Sequence, residues 1–161
     1  MNLLNPYRFA AAGPPVPSYA NPGGSGDRSG LITISQSTSG IVGGAGILIN
    51  GNTAGIEGYF AWAHGAGYWI KFDFGSAKVI DELKWYQSHL YEHGVWNLQG
   101  SNDDSSWTDT NNFTLGSLST TTSTHAITGF SGFRYARLII KSGNASLSPY
   151  IIEADFQLDD A

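Results

Sequence analysis

Two stretches of this sequence concentrate side chains suited to recognising a polar ligand: Tyr59-Phe60-Ala61-Trp62-Ala63-His64 and Ser88-His89-Leu90-Tyr91-Glu92-His93. An aromatic face takes the C–H side of a polyhydroxylated ring, while a few fixed donors and acceptors take its hydroxyls. Trp62, His64, Tyr91, Glu92 and His93 supply that mixture, by composition rather than by a matched motif. The same residues also fit a plainer role. A buried Trp beside a His bonded to backbone is ordinary core packing, and a His before Gly94 suits a turn.

Catalytic chemistry finds little to work with. Asp103 and Asp104 are adjacent within the cluster 101–106, whose short side chains bond back to their own backbone. Neighbours in a turn face different ways, so the two read as structural rather than as an acid–base pair. The chain has no cysteine, no Ser-centred Gly-x-Ser-x-Gly elbow and no paired-His metal spacing. Gly43-Gly44-Ala45-Gly46 lacks the Lys-Ser and the helix that a phosphate loop needs. The expectation is a protein that is not an enzyme. Arg134 and Arg137 read as partners for backbone or carboxylate within the fold.

Charge and composition narrow the partners. The formal net charge is −5 and the eight Lys plus Arg are scattered singly, so no basic stripe tracks a nucleic-acid backbone. No apolar run approaches the roughly 18 residues of a membrane span, and no charged-then-apolar leader opens the sequence. Neither nucleic acid nor membrane is an expected partner, and no signal peptide is expected. With 41% apolar and only 13% charged residues, the surface must be built largely from Gly, Ser, Thr and Asn. The Asn-x-Ser/Thr triplets at Asn112 and Asn144 are what chance produces in such a chain.

The elements that would position the candidate residues are strands. From Leu31 onward no apolar stripe of helical period persists, whereas period-two alternation recurs. Ile70, Phe72 and Phe74 share a face, and Gly75-Ser76 is expected to end that strand. Leu83 with Trp85, then Trp96 with Leu98, form the next inward pairs, and Trp107 is expected to return to the core. Residues 116–129 read as a loop with a weak edge strand around 125–128. Ala136, Leu138 and Ile140 face inward, as do Ile152, Ala154, Phe156 and Leu158, with Glu153, Asp155 and Gln157 on the wet side. About eight half-buried strands close by pairing apolar faces, which predicts an all-β, antiparallel jelly-roll β-sandwich.

Three segments in order resemble a known family. Trp69-Ile70-Lys71-Phe72-Asp73-Phe74-Gly75, Ser101-Asn102-Asp103-Asp104-Ser105-Ser106-Trp107 and Arg134-Tyr135-Ala136-Arg137 resemble the "W-I-x-F-D-F-G", "S-N-D-G-x-x-W" and "R-Y-x-R" segments of discoidin domains. These are also called coagulation factor 5/8 type C, or galactose-binding-like, domains. Leu48-Ile49-Asn50-Gly51 is similar to the family's "L-I-D-G" loop, and Glu153-Ala154-Asp155-Phe156 to its closing "E-x-x-F" strand. The resemblance covers about residues 31–158. It implies a sandwich whose end loops bind sugars, lipid head groups or proteins, and fold alone does not choose among these. His93-Gly94-Val95-Trp96 and Ser148-Pro149-Tyr150 look most like versions from bacteriophage and prophage proteins.

The resemblance also implies a structural Ca²⁺ site at Asn50, Asn52 and Glu153. Asn50 stands where the family has Asp, which removes one anionic ligand and lowers the expected affinity. No cofactor is otherwise required. Residues 1–30 carry five of the six prolines and no hydrophobic period, which predicts an extended arm. That arm reads equally as an unattached leader or as an anchor, given Leu3, Leu4, Tyr7 and Phe9. The expected function is therefore non-catalytic glycan binding, of galactose type or another cell-surface polysaccharide. It would be exercised on a phage particle or outside the cell, in an oligomer or in many copies. The competing expectation is a structural virion protein, a head, fibre or tail component, that meets other virion proteins through residues 1–30.

Overall fold

The computed structural model describes residues 18–24, 26–55, 58–145 and 150–160. The expected arm over residues 1–17, and residues 148 and 149 of the Ser-Pro-Tyr motif, lie outside them. Among the described residues the chain is an antiparallel β-sandwich with no α-helix. Its strands are β1 (Thr33–Gln36), β2 (Ile41–Val42), β3 (Tyr59–Phe60), β4 (Trp69–Gln87), β5 (Tyr91–Ser101), β6 (Asn112–Ser117), β7 (Thr122–Ala126), β8 (Phe133–Ser142) and β9 (Ile151–Asp160). A 3₁₀ turn, η1 (Ala45–Ile49), lies between β2 and β3.

Strand β4 organises everything else. Its first part pairs with β1 and β8, and its second with β7 and β9, so one strand serves both layers. The changeover falls between Asp73 and Lys78, where the register with β8 breaks. Gly75 takes φ 75° there, its N–H held by the Asp73 carboxylate at 2.8 Å. Gly75-Ser76 thus bends the strand instead of ending it. A second irregularity lies between Ile80 and Glu82. It advances the pleat by one residue, so the buried positions change from Ile70, Phe72, Phe74 and Ile80 to Leu83 and Trp85.

The expected inward residues of β4, β5, β8 and β9 make the core. Trp85, Trp96, Phe72 and Phe156 are wholly buried, each contributing about 2–3 kcal/mol by the area it removes from water. Phe72 and Phe74 meet Phe156 edge-on at 4.9 and 5.5 Å, which locks β4 against β9.

Three further expectations need correction. Trp107 is only half-buried: it lies on the outside of the sheet, where Arg137 covers one face of its ring at 4.1 Å. Residues 116–129 hold the end of β6 and all of β7, since backbone pairing with Glu82–Tyr86 compensates for their weak apolar pattern. The side of β9 expected to be wet is dry at Glu153 and Asp155. The described part of residues 18–30 crosses it, with Leu158 N–H donating to Ser18 O at 3.0 Å and Phe156 N–H to Gly23 O at 2.8 Å.

Candidate functional site

Strand β3, the turn 88–90, the start of β5, Ala145 after β8 and Tyr150 before β9 converge on one rim. Strand β3 is pinned through Ile41↔Phe60 and Val42↔Tyr59, and Ala61 N–H donates to Gly40 O at 2.7 Å. Three residues later His64 and Ala145 exchange both backbone hydrogen bonds, at 2.9 and 3.0 Å. The His64 ring stacks on Tyr68 at 3.8 Å, and its Nε2 lies 3.3 Å from Gly40 O. A Cβ on Gly40 would come within 2.2 Å of that nitrogen, so the glycine is what admits the ring.

Held at both ends, the loop projects Trp62 outward with half of its surface exposed. An exposed indole on a fixed loop is a ready stacking platform, because little conformational entropy is lost when a ring settles on it. The same bridge places Asn144, also exposed, next to the loop.

The turn 88–90 is stitched by Gln87, whose Nε2 donates to His89 O at 2.6 Å and Tyr91 O at 2.9 Å. Leu90 and Tyr91 emerge into solvent. Behind them His93 is fully buried, and burial pushes its pKa down to about 4. Neither of its ring nitrogens has a hydrogen-bond partner. His89 and Tyr59 both approach Tyr150, at 6.0 and 5.4 Å.

The five residues selected from the sequence separate into two groups. Trp62, His64, His93 and Tyr91 form one chain of ring contacts through Phe60, with successive centroids 5.5–5.7 Å apart. Trp62 and Tyr91 face solvent, while His64 and His93 lie beneath them and support the rim from inside. Glu92 is exposed, but strand alternation turns it away from the side that Tyr91 and His93 share. Asn144, His89 and Tyr150 were not selected. Asn144 carried no signal beyond its triplet, and Tyr150 none beyond its place before β9.

Asn50, Asn52 and Glu153 are engaged locally. Asn50 Oδ1 accepts from Asn52 N–H at 2.8 Å, and Asn52 Oδ1 from Ala54 N–H at 3.1 Å. The Glu153 carboxylate receives Gly51 N–H at 2.9 Å and the guanidinium of Arg28. Among the described residues no group of three or more His, Cys, Asp or Glu is placed to hold a metal ion. A recess of about 340 Å³ is lined by Tyr19, Lys84, Tyr86 and Asp155 among others. The Tyr19 hydroxyl donates to Glu82, and the Lys84 ammonium lies 4.2 Å from the centre of the Tyr19 ring.

No family model matches the sequence, and no curated protein matches it. Its fold is found among solved structures. The CBM32 of AlyQ, in complex with 4,5-unsaturated mannuronic acid, superposes with a TM-score of 0.58 at 22% identity, over 77% of this chain and 92% of that one. A putative chitobiase fragment from Bacteroides thetaiotaomicron gives 0.60 at 13% identity, over 80% and 90%. A CBM32 from Clostridium perfringens, in complex with GalNAc-β-1,3-galactose, gives 0.57 at 13% identity, over 79% and 95%. At such identities the likeness establishes the galactose-binding-like sandwich.

Proposed function

We propose that this chain is a non-catalytic carbohydrate-binding module that stacks a sugar ring on Trp62. The observation that carries the reading is the half-exposed indole on a loop clipped by the His64–Ala145 bridge and the His64–Tyr68 stack. Asn144 and Tyr91 supply amide and phenol groups for hydroxyl recognition at the same rim. Similarity to modules crystallised with mannuronic acid and GalNAc-galactose supports the ligand class. One platform gives weak single-site affinity, so display in many copies would supply avidity. The phage-like motifs favour a virion as the setting. A glycan array probed with the native protein and with Trp62→Ala tests the reading. Binding to a defined glycan set that disappears in the variant is expected, and native protein silent on bacterial and galactose-type glycans overturns it.

A second reading has its own support. Leu90 and Leu118 are 53% and 64% exposed at the same rim, and Gln87 reaches both segments through His89 O and Ser117 O. Exposed leucines suit assembly against another protein. On this reading the domain is a structural virion component, and Leu90→Ser would abolish assembly while leaving the glycan array blank for every variant.

A further inference from the structure

We propose that the guanidinium of Arg28 is the built-in cation of this sandwich, seated in an oxygen cage that would otherwise call for a divalent metal. Arg28 is wholly buried although it is charged. Its Nη1 donates to Gly23 O at 2.5 Å and Ala154 O at 3.1 Å, and its Nη2 to Leu48 O at 3.1 Å and to the Glu153 carboxylate. Asp155 Oδ1 lies 3.2 Å from Nη2. Three carbonyls and two carboxylates, drawn from residue 23, from η1 and from β9, thus surround one positive group.

Oxygen-only cages of mixed carbonyl and carboxylate character are what a hard divalent ion selects. The residues here do not fit that ion. Glu153, the anionic member of the expected metal set, spends one oxygen on Arg28 and the other on Gly51 N–H. A divalent ion bound there would have to share its ligands with a fixed cation a few ångströms away, a repulsion the buried setting barely screens. The planar guanidinium instead satisfies the cage with directed donors and pays no metal dehydration. It also ties Gly23 and η1 to β9, the role a structural ion would have.

This inference goes beyond sugar recognition and is tested without any glycan, by thermal melting followed by circular dichroism. The native protein is expected to melt at the same temperature in EDTA and in millimolar CaCl₂. A fall with EDTA or a rise with CaCl₂ overturns the proposal. Arg28→Met removes the charge while keeping much of the volume, and leaves two buried carboxylates without a counter-charge. Its Tm is expected to drop by roughly 10 °C. An unchanged or raised Tm shows that the cage needs no cation and also overturns it. Arg28→Ala, which opens the cage, is expected to regain part of its lost Tm in millimolar CaCl₂. Should that variant fail to fold, the native melts with and without metal still decide the matter.

Discussion

Two groups of surface aromatic rings on this molecule differ in their surroundings. On the outer sheet face, Trp69, Tyr135 and Trp107 are each covered by a cation: Lys71 at 5.7 Å, Arg134 at 4.8 Å and Arg137 at 4.1 Å. Those cations are themselves held, Arg134 by Asp73 at 2.8 Å and Lys71 by Asp104 at 2.6 Å. At the rim, Trp62 has a single ring neighbour, His64, and no cation over its face among the described residues. Rings already capped by guanidinium and ammonium groups are spent on stability, whereas an uncapped ring on a fixed loop is available to a ligand. Composition alone would not separate the two groups.

The largest expected effect sharpens the comparison from below the rim. Burial lowers the His93 pKa from its ordinary 6.5 to about 4, so the folded state holds the ring neutral while the unfolded chain takes up a proton. Stability from this residue is complete above 6.5, and is lost as the pH falls through that window. The loss is about 3 kcal/mol at the acid end. His125, also pushed down to about 4, adds in the same direction. Tm should therefore fall on acidification from neutral pH, and His93→Leu should flatten much of that slope. A native protein with pH-independent Tm over that range would show that His93 is not enclosed.

Next comes the platform itself. Trp62→Ala should weaken glycan binding by about 2 kcal/mol, some 30-fold in Kd, by titration calorimetry with a glycan found on the array. Its Tm should stay within a degree or two of native, because the indole is half in solvent already. Loss of Tm without loss of binding would reassign Trp62 to packing. Asn144→Ala should cost about 1 kcal/mol, roughly fivefold in Kd, through one lost hydrogen bond to a sugar hydroxyl.

The core was legible in the sequence because period-two alternation reports directly which side of a strand is dry, and Phe72, Trp85, Trp96 and Phe156 lie where it placed them. What the pattern could not report was a surface covered by a distant segment. Glu153 and Asp155 read as wet because their strand alternates, yet Arg28, 125 residues from Glu153, closes over them. The rim was half legible for a related reason. Trp62 and His64 are sequence neighbours, but whether a ring points outward or inward depends on Gly40, Tyr68 and Ala145, none of which carries a local signal. Asn144 is placed only by the His64–Ala145 bridge.

The smallest effect is the one that would break the comparison. Trp107→Ala removes the ring beneath Arg137, whose Nε also donates to Gln99 Oε1 at 2.5 Å and so keeps the side chain in place. A cation–π contact at a partly exposed site is worth about 0.5–1 kcal/mol, which shifts Tm by roughly 1–4 °C in a domain of this size. Glycan affinity should not change. If Trp107→Ala instead lowers affinity as much as Trp62→Ala does, the cation-capped face is a binding surface. An Arg over a ring would then mark readiness for an acidic ligand and not a ring already committed to the fold.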